Sequence, residues 1–205
     1  MLRGPGTRHI MSESVRTFIA IELPADVRAY LSDCQARLKR AGGDVKWVRS
    51  DLIHLTLVFL GDVPAEALPD VEKAVREAVA GRAPIMLRTG GAGRFPTRGM
   101  PRVVWIGIED ESGELGALQK AIADATAAFA ERSEDRAFAA HLTLGRVRGP
   151  KGSCDLEGIL TSMAGQTGPT LDACEITLFR SDLSPQGPTY TPLARVAMAK
   201  QVGGT

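Results

Sequence analysis

From Val15 to Leu23 the chain reads VRTFIAIEL, a run rich in β-branched and aromatic residues that predicts a strand stopped by Pro24. Proline is preset for the first turn of a helix. Behind it, ADVRAYLSDCQARLKRAG places Val27, Leu31, Cys34 and Leu38 at helical spacing, with Gly42 near the end. VKWV (45–48) and LIHLTLVFLG (52–61) predict two strands, and AEALPDVEKAVREAVAG (65–81) a second helix in which Pro69 is tolerable only in an early turn. IMLRTGGAGRF (85–95) and RVVWIGIE (102–109) predict strands on either side of a Gly/Pro-rich loop. ESGELGALQKAIADATAAFAER (111–132) is the clearest amphipathic helix of the chain. AAHLTLGRV (139–147) predicts a strand and CDLEGILTSMAG (154–165) a short helix. LDACEITLFRSDL (171–183) and PTYTPLARVAMA (188–199) predict the last two strands.

The second half of this order repeats the first, and the tetrapeptide HLTL occurs once in each half, at His54–Leu57 and His141–Leu144. Parallel doubly wound sheets alternate strand and helix more strictly and bury strands that are apolar throughout. Here strands follow one another through turns, which predicts antiparallel sheets in an α+β protein of two similar lobes sharing one core. Residues 1–14 read as a disordered leader and 15–205 as a single bilobal domain.

Side chains alternate across a strand, so His54 and Thr56 share one face while Leu55 and Leu57 share the other. His141 and Thr143 repeat that parity against Leu142 and Leu144. Each strand buries leucines on one side and offers an imidazole and a hydroxyl on the other. Imidazole exchanges a proton near neutral pH, so two of them facing one cavity serve as base and acid, and hydroxyls beside them donate to oxygens gaining charge. Two imidazoles, two hydroxyls and a nearby guanidinium suit phosphoester cleavage. The competing reading is a zinc site, but the neighbouring polar residues are threonines, which are poor ligands; Asp51 and Asp62 read as turn or capping residues. The expectation is therefore no metal.

Composition narrows the surroundings. The chain has 205 residues, a net charge of +1 and a mean hydropathy of −0.03, the profile of a globular protein. No apolar run approaches the roughly 20 residues that span a bilayer, and the opening MLRGPGTRHIMSES lacks the apolar core of a secretory signal. Cys34, Cys154 and Cys174 have no C-x-x-C spacing and read as reduced, buried thiols of a cytoplasmic protein. The near-zero charge excludes long-range capture of duplex nucleic acid, not a site for one phosphate. Arg94, Arg98 and Arg102, and Arg146, Arg148 and Lys151, read as solvated loop charges unless the fold gathers them.

The paired strands resemble the two-histidine phosphoesterase superfamily. Further blocks resemble its RNA 2′,3′-cyclic phosphodiesterase (2′-5′ RNA ligase, LigT-like) group: RTFIAIELP, Trp47 to Gly61, Gly93 to Gly107, HLTLGR from His141 to Arg146, and LFRSDLSPQGPTYTPL. The resemblance implies a catalytic cleft between two antiparallel sheets. It implies hydrolysis of RNA 2′,3′-cyclic phosphate ends to 2′-phosphomonoesters without metal or other cofactor, with 2′-5′ ligation as the reverse reaction. By motif position His54 would be the proton donor and His141 the proton acceptor, with Thr56, Thr143 and Arg146 on the phosphate and Phe59 stacked on the base.

Strict alternation opposes two of these assignments, because Phe59 and Arg146 each lie five residues past a histidine and fall on the other face. Gly145 would permit a bulge that re-aims Arg146. Phe59 has no such glycine before it, and its bland reading is a core phenylalanine. Trp47 and Tyr190 read as packing residues. Ala140 stands where the group often carries proline, with no loss of a catalytic group. The expected partners are RNA ends with a cyclic phosphate, the expected state a monomer with no membrane association. Two other readings remain open: a cyclic phosphodiesterase for small nucleotides or ADP-ribose cyclic phosphate, and a non-catalytic module that binds RNA ends.

Overall fold

The computed structural model describes residues 13–132, 137–150 and 153–199. Most of the expected leader, Lys151 and the Cys154 thiol lie outside what is described. The first strand, β1 (Ser14–Ile21), leads through Pro24 into α1 (Ala25–Lys39), whose Val27, Leu31, Cys34 and Leu38 are all buried. There follow β2 (Val45–Trp47), β3 (Leu55–Pro64), α2 (Leu68–Val79), β4 (Ile85–Phe95) and β5 (Val103–Glu109). The second half continues with α3 (Glu114–Thr126), β6 (His141–Val147), α4 (Ser153–Met163), β7 (Thr167–Ala173), β8 (Glu175–Ser184) and β9 (Gly187–Ala197). The class is α+β, as the pattern predicts.

The strands form two antiparallel sheets, one ordered β3-β1-β8-β9 and the other β2-β6-β5-β4-β7. Neither sheet belongs to one half of the chain. The first takes β1 and β3 from the N-terminal half and is completed by β8 and β9. The second takes β2, β4 and β5 from the N-terminal half and β6 and β7 from the C-terminal half, with β2 on its edge. The two lobes therefore exchange strands and cannot separate.

Four local expectations need correction. LDACEITLFRSDL is not one strand but two: β7 pairs with β4, β8 pairs with β1, and the chain crosses between sheets at Cys174. Apolar periodicity reports which face is covered, not which strand lies alongside, so the crossing leaves no mark in the pattern. Cys174 is exposed there rather than buried, while Cys34 is buried as expected. Ser50–Leu52 forms a 3-10 turn, so β3 starts at Leu55, just behind His54. The long amphipathic helix is shorter than its pattern, with a 3-10 turn at Ala127–Phe129 closing α3.

One core cluster runs through both lobes, joining Ile19 and Ile21 of β1 to Leu55 and Leu57, Leu142 and Leu144, and the inner stripes of all four helices. The leucines flanking each histidine are nearly inaccessible: Leu55, Leu142 and Leu144 at 0% and Leu57 at 4%. Full burial of such a side chain contributes about 1.5–3 kcal/mol. That is what fixes the opposite face of each HLTL strand toward the cleft. Among the described residues no helix is long and apolar enough to cross a membrane.

Candidate active site

The cleft face of the first sheet is aromatic. β1 pairs Phe18 with Phe59 on one side and Phe179 on the other, and Phe18, Ala20 and Phe179 form a small cluster of their own, with Tyr190 packed on it. His54 stacks on Phe18 with ring centroids 4.6 Å apart, and the Tyr190 ring meets His54 edge-on at 5.2 Å. The second sheet treats His141 alike. Phe95 meets it edge-on at 5.0 Å and Trp105 lies 6.3 Å away. Among the described residues each imidazole is thus flanked by rings rather than by a carboxylate.

The backbone orients both rings in the same way. His54 Nδ1 lies 2.9 Å from the Leu52 carbonyl oxygen, and His141 Nδ1 lies 2.7 Å from the Ala139 carbonyl oxygen, each two residues back. A carbonyl can only accept, so Nδ1 carries the hydrogen in both rings and Nε2 is left as the nitrogen that exchanges a proton in the cleft. Burial among the aromatics pushes the His54 pKa below the usual histidine value, opposed by its bond to Leu52.

Two bulges decide what else shares the cleft. Ile19 pairs with Val58 and Ala20 with Thr56, so Leu57 is an extra residue in β3. Val104 pairs with Gly145 and Trp105 with Thr143, so Leu144 is an extra residue in β6. Both fall three residues past the histidine and flip the parity of the residues that follow; in β3 a second extra residue, Leu60, restores it beyond Phe59, because Thr17 pairs with Gly61 and Phe18 with Phe59. Arg146 turns to the cleft, as Gly145 had suggested. Phe59 turns there too, 53% exposed, which overturns its reading as a core phenylalanine.

The side chains line two adjoining cavities. One, of about 480 Å³, is bordered by His54, Thr56, Thr143, Arg146 and Phe59. The other, of about 660 Å³, is bordered by His141 and shares Thr56 and Phe59 with the first. All six residues expected from sequence therefore border one or other of these two adjoining cavities. Trp47 and Tyr190, set aside as packing residues, also line the first cavity. Arg16 and Lys46 join Arg146 there; among the described residues no carboxylate borders this cavity and these three make no ion pair. Local positive charge exists although the net charge is +1.

Sequence reasoning missed Arg16, whose signal was its alternation with Phe18 and Ala20 along β1. Lys46 carried no signal, because nothing in VKWV says that β2 borders β6 at the cleft. The cluster Arg94, Arg98 and Arg102 does not border it. Arg94 instead pairs with Glu157 at 2.6 Å and donates to the Pro96 and Gly99 carbonyls. Arg148 is exposed and also stays outside the cleft lining. Asp51 is a turn residue, as expected, held well below the usual carboxylate range by its hydrogen bonds from Arg49.

Known proteins match this arrangement. A LigT-like phosphoesterase family model matches twice, over residues 21–105 and 106–190, one copy per half. An RNA 2′,3′-cyclic phosphodiesterase of Methanothermobacter thermautotrophicus is 35% identical over 87% of this chain and 96% of its own length. The crystal structure of TT0787 of Thermus thermophilus superposes with a TM-score of 0.75 at 30% identity, covering 91% of this chain and 99% of that one. The E. coli LigT structure complexed with 3′-AMP gives 0.73 at 26% identity, covering 92% and 100%. With one HLTL strand in each of two matched halves, the chain belongs to the LigT-like phosphoesterase family.

Proposed function

We propose that the protein is an RNA 2′,3′-cyclic phosphodiesterase that opens the cyclic phosphate to a 2′-phosphomonoester by histidine acid–base catalysis without a metal. The observation that carries this reading is the matched pair of imidazoles, each with Nδ1 committed to a backbone carbonyl and Nε2 left for the cleft, on cavities that meet at Thr56 and Phe59. The relatives named RNA 2′,3′-cyclic phosphodiesterase and the neighbour bound to 3′-AMP support the substrate class. Among the described residues no three His, Cys, Asp or Glu side chains gather as a metal would require.

In the proposed reaction His141 Nε2 takes a proton from water as its oxygen bonds to phosphorus. The bond from phosphorus to the 3′ oxygen breaks, and His54 Nε2 delivers a proton to that oxygen. Thr56 and Thr143 donate to the non-bridging oxygens, and Arg146 with Arg16 and Lys46 offsets their charge. Burial alone favours neutral His54, so its role as donor depends on the bound anion, whose negative charge raises the imidazole pKa. With an RNA 5′-hydroxyl in place of water, the same two proton transfers break the bond from phosphorus to the 3′ oxygen and leave a 2′-5′ linkage. The site is complete within one chain, which supports a monomer. The free thiols of Cys34 and Cys174 suit a reducing compartment, the cytoplasm.

The test uses a cyclic-phosphate-ended oligonucleotide with His54→Ala and His141→Ala separately. General acid–base catalysis contributes about 10²–10⁴-fold, so each variant loses that much kcat while keeping its fold. Full activity in either would reject the mechanism. Comparable turnover of a cyclic mononucleotide would instead favour a small-nucleotide substrate. No turnover in the parent protein, with RNA-end binding that survives both substitutions, would favour a binding module.

A further inference from the structure

We propose that Gln35 and Gln119 are a matched pair of positioning residues, each holding the bulge behind one HLTL histidine and so aiming the side chain two residues further on. This rests on the phosphodiesterase reading above. The bulged residues are Leu144, which precedes Arg146 by two, and Leu57, which precedes Phe59 by two. A bulge takes a peptide out of the regular register, so a side-chain donor on its carbonyl can fix where that peptide sits.

Gln35 on α1 is 5% exposed and spends both amide hydrogens on carbonyls: Val48 at 2.6 Å and Leu144 at 2.8 Å. The same Leu144 oxygen accepts from the Val48 N–H at 2.9 Å. Gln35 thus ties the bulge of β6 to the segment after β2, where Lys46 and Trp47 line the His54 cavity. Gln119 on α3 donates to the Leu57 carbonyl at 3.3 Å. The arrangement is reciprocal. The first helix of the N-terminal half clamps the motif strand of the C-terminal half, and the reverse holds for the other pair. Ordinary helix packing gives no reason for an amide to meet the third residue after a histidine twice.

The Leu144 clamp sets the phosphate-facing arginine, and the Leu57 clamp sets the base-facing phenylalanine. Gln35→Met keeps the apolar stem and removes both donors. Expected is a tenfold rise in KM for a cyclic-phosphate oligonucleotide, a matching loss of inorganic phosphate affinity, and kcat within twofold of the parent. In an Arg146→Ala background the same substitution changes neither KM nor phosphate affinity by more than twofold. Gln119→Met raises KM for the oligonucleotide but leaves phosphate affinity unchanged, and loses its effect in a Phe59→Leu background.

Equal fold-losses in both backgrounds, or parental phosphate affinity in folded Gln35→Met, overturn the proposal. Should Gln35→Met fail to fold, the Gln119 and Phe59 cycle decides it alone. A parent protein that binds phosphate through Arg146 but turns over no cyclic phosphate removes the proposed reaction, and the phosphate measurements then judge the positioning role.

Discussion

Replacing Gly145 by alanine adds one methyl group at the crowded point where β2 lies against β6. The new Cβ would sit 2.6 Å from Val45 Cγ1, 3.0 Å from Trp47 Cε3 and 3.3 Å from the Lys46 carbonyl oxygen. Carbon atoms are comfortable at about 3.5–4.0 Å, so β2 must move outward by about 1 Å. β2 is a three-residue edge strand, paired only as Val45 to Val147, Lys46 to Arg146 and Trp47 to Gly145. It gives way before the core does. Overpacking of this kind costs about 1–3 kcal/mol, and a chain of this size loses about 2–4 °C of Tm per kcal/mol, so melting falls by several degrees.

The functional effect is separate from that loss. Arg146 follows Gly145 directly and pairs with Lys46, so both of these cavity-lining cations shift. A charge-assisted hydrogen bond contributes about 1.5–3 kcal/mol, and losing half of one raises KM by about 4- to 12-fold. The assay is steady-state turnover of a cyclic-phosphate oligonucleotide at a temperature well below the variant's Tm. A lowered Tm with an unchanged KM would refute the claim that the β6 bulge aims Arg146.

Phe59→Ala removes a side chain that is 53% exposed, so stability changes little, while the loss of base stacking of about 1–3 kcal/mol raises KM for RNA by at least fivefold; an unchanged KM would show that no base rests there. The lowered pKa of His54 has a definite sign: the unfolded chain binds the proton more tightly, so stability is lost as pH falls through the ordinary histidine value toward the lower folded one. Urea midpoints at pH 8 and pH 5.5 measure this loss, and a His54→Gln variant with an identical decrease would assign it elsewhere. Adding inorganic phosphate raises the His54 pKa, read by the NMR titration of its ring protons; no movement would remove it as the proton donor. Gly158→Ala, in α4 with nothing within 4 Å of the added Cβ, stabilises the protein by about 1 kcal/mol in thermal melts, and a neutral result would contradict the helical assignment.

Element types and the two histidines were legible because they depend on local chemistry. A strand that buries leucine at alternate positions must show its histidine and threonine on the other side, whatever surrounds it, and the repetition of HLTL marked both cleft faces. The helices followed from the spacing of residues such as Val27, Leu31 and Leu38, which any helix must place on one stripe. The single strand read across Cys174 failed because hydrogen-bond partners lie far away in the chain, and the same apolar run serves either sheet.

Phe59 shows the limit most clearly. Its side was misread because alternation holds only while the ladder is regular, and the extra residue at Leu57 is defined by Ile19 and Ala20 across the strand pair rather than by anything in LTLVF. Arg16 and Lys46 likewise become site residues only where β1 and β2 border the cleft. The sequence by itself determined the two paired imidazole–hydroxyl strands and which face each side chain occupies within a regular strand. The tertiary structure decided where the strands break register, which sheet each joins, and hence which distant cations and rings meet the imidazoles, because pairing between strands depends on partners that no local pattern names.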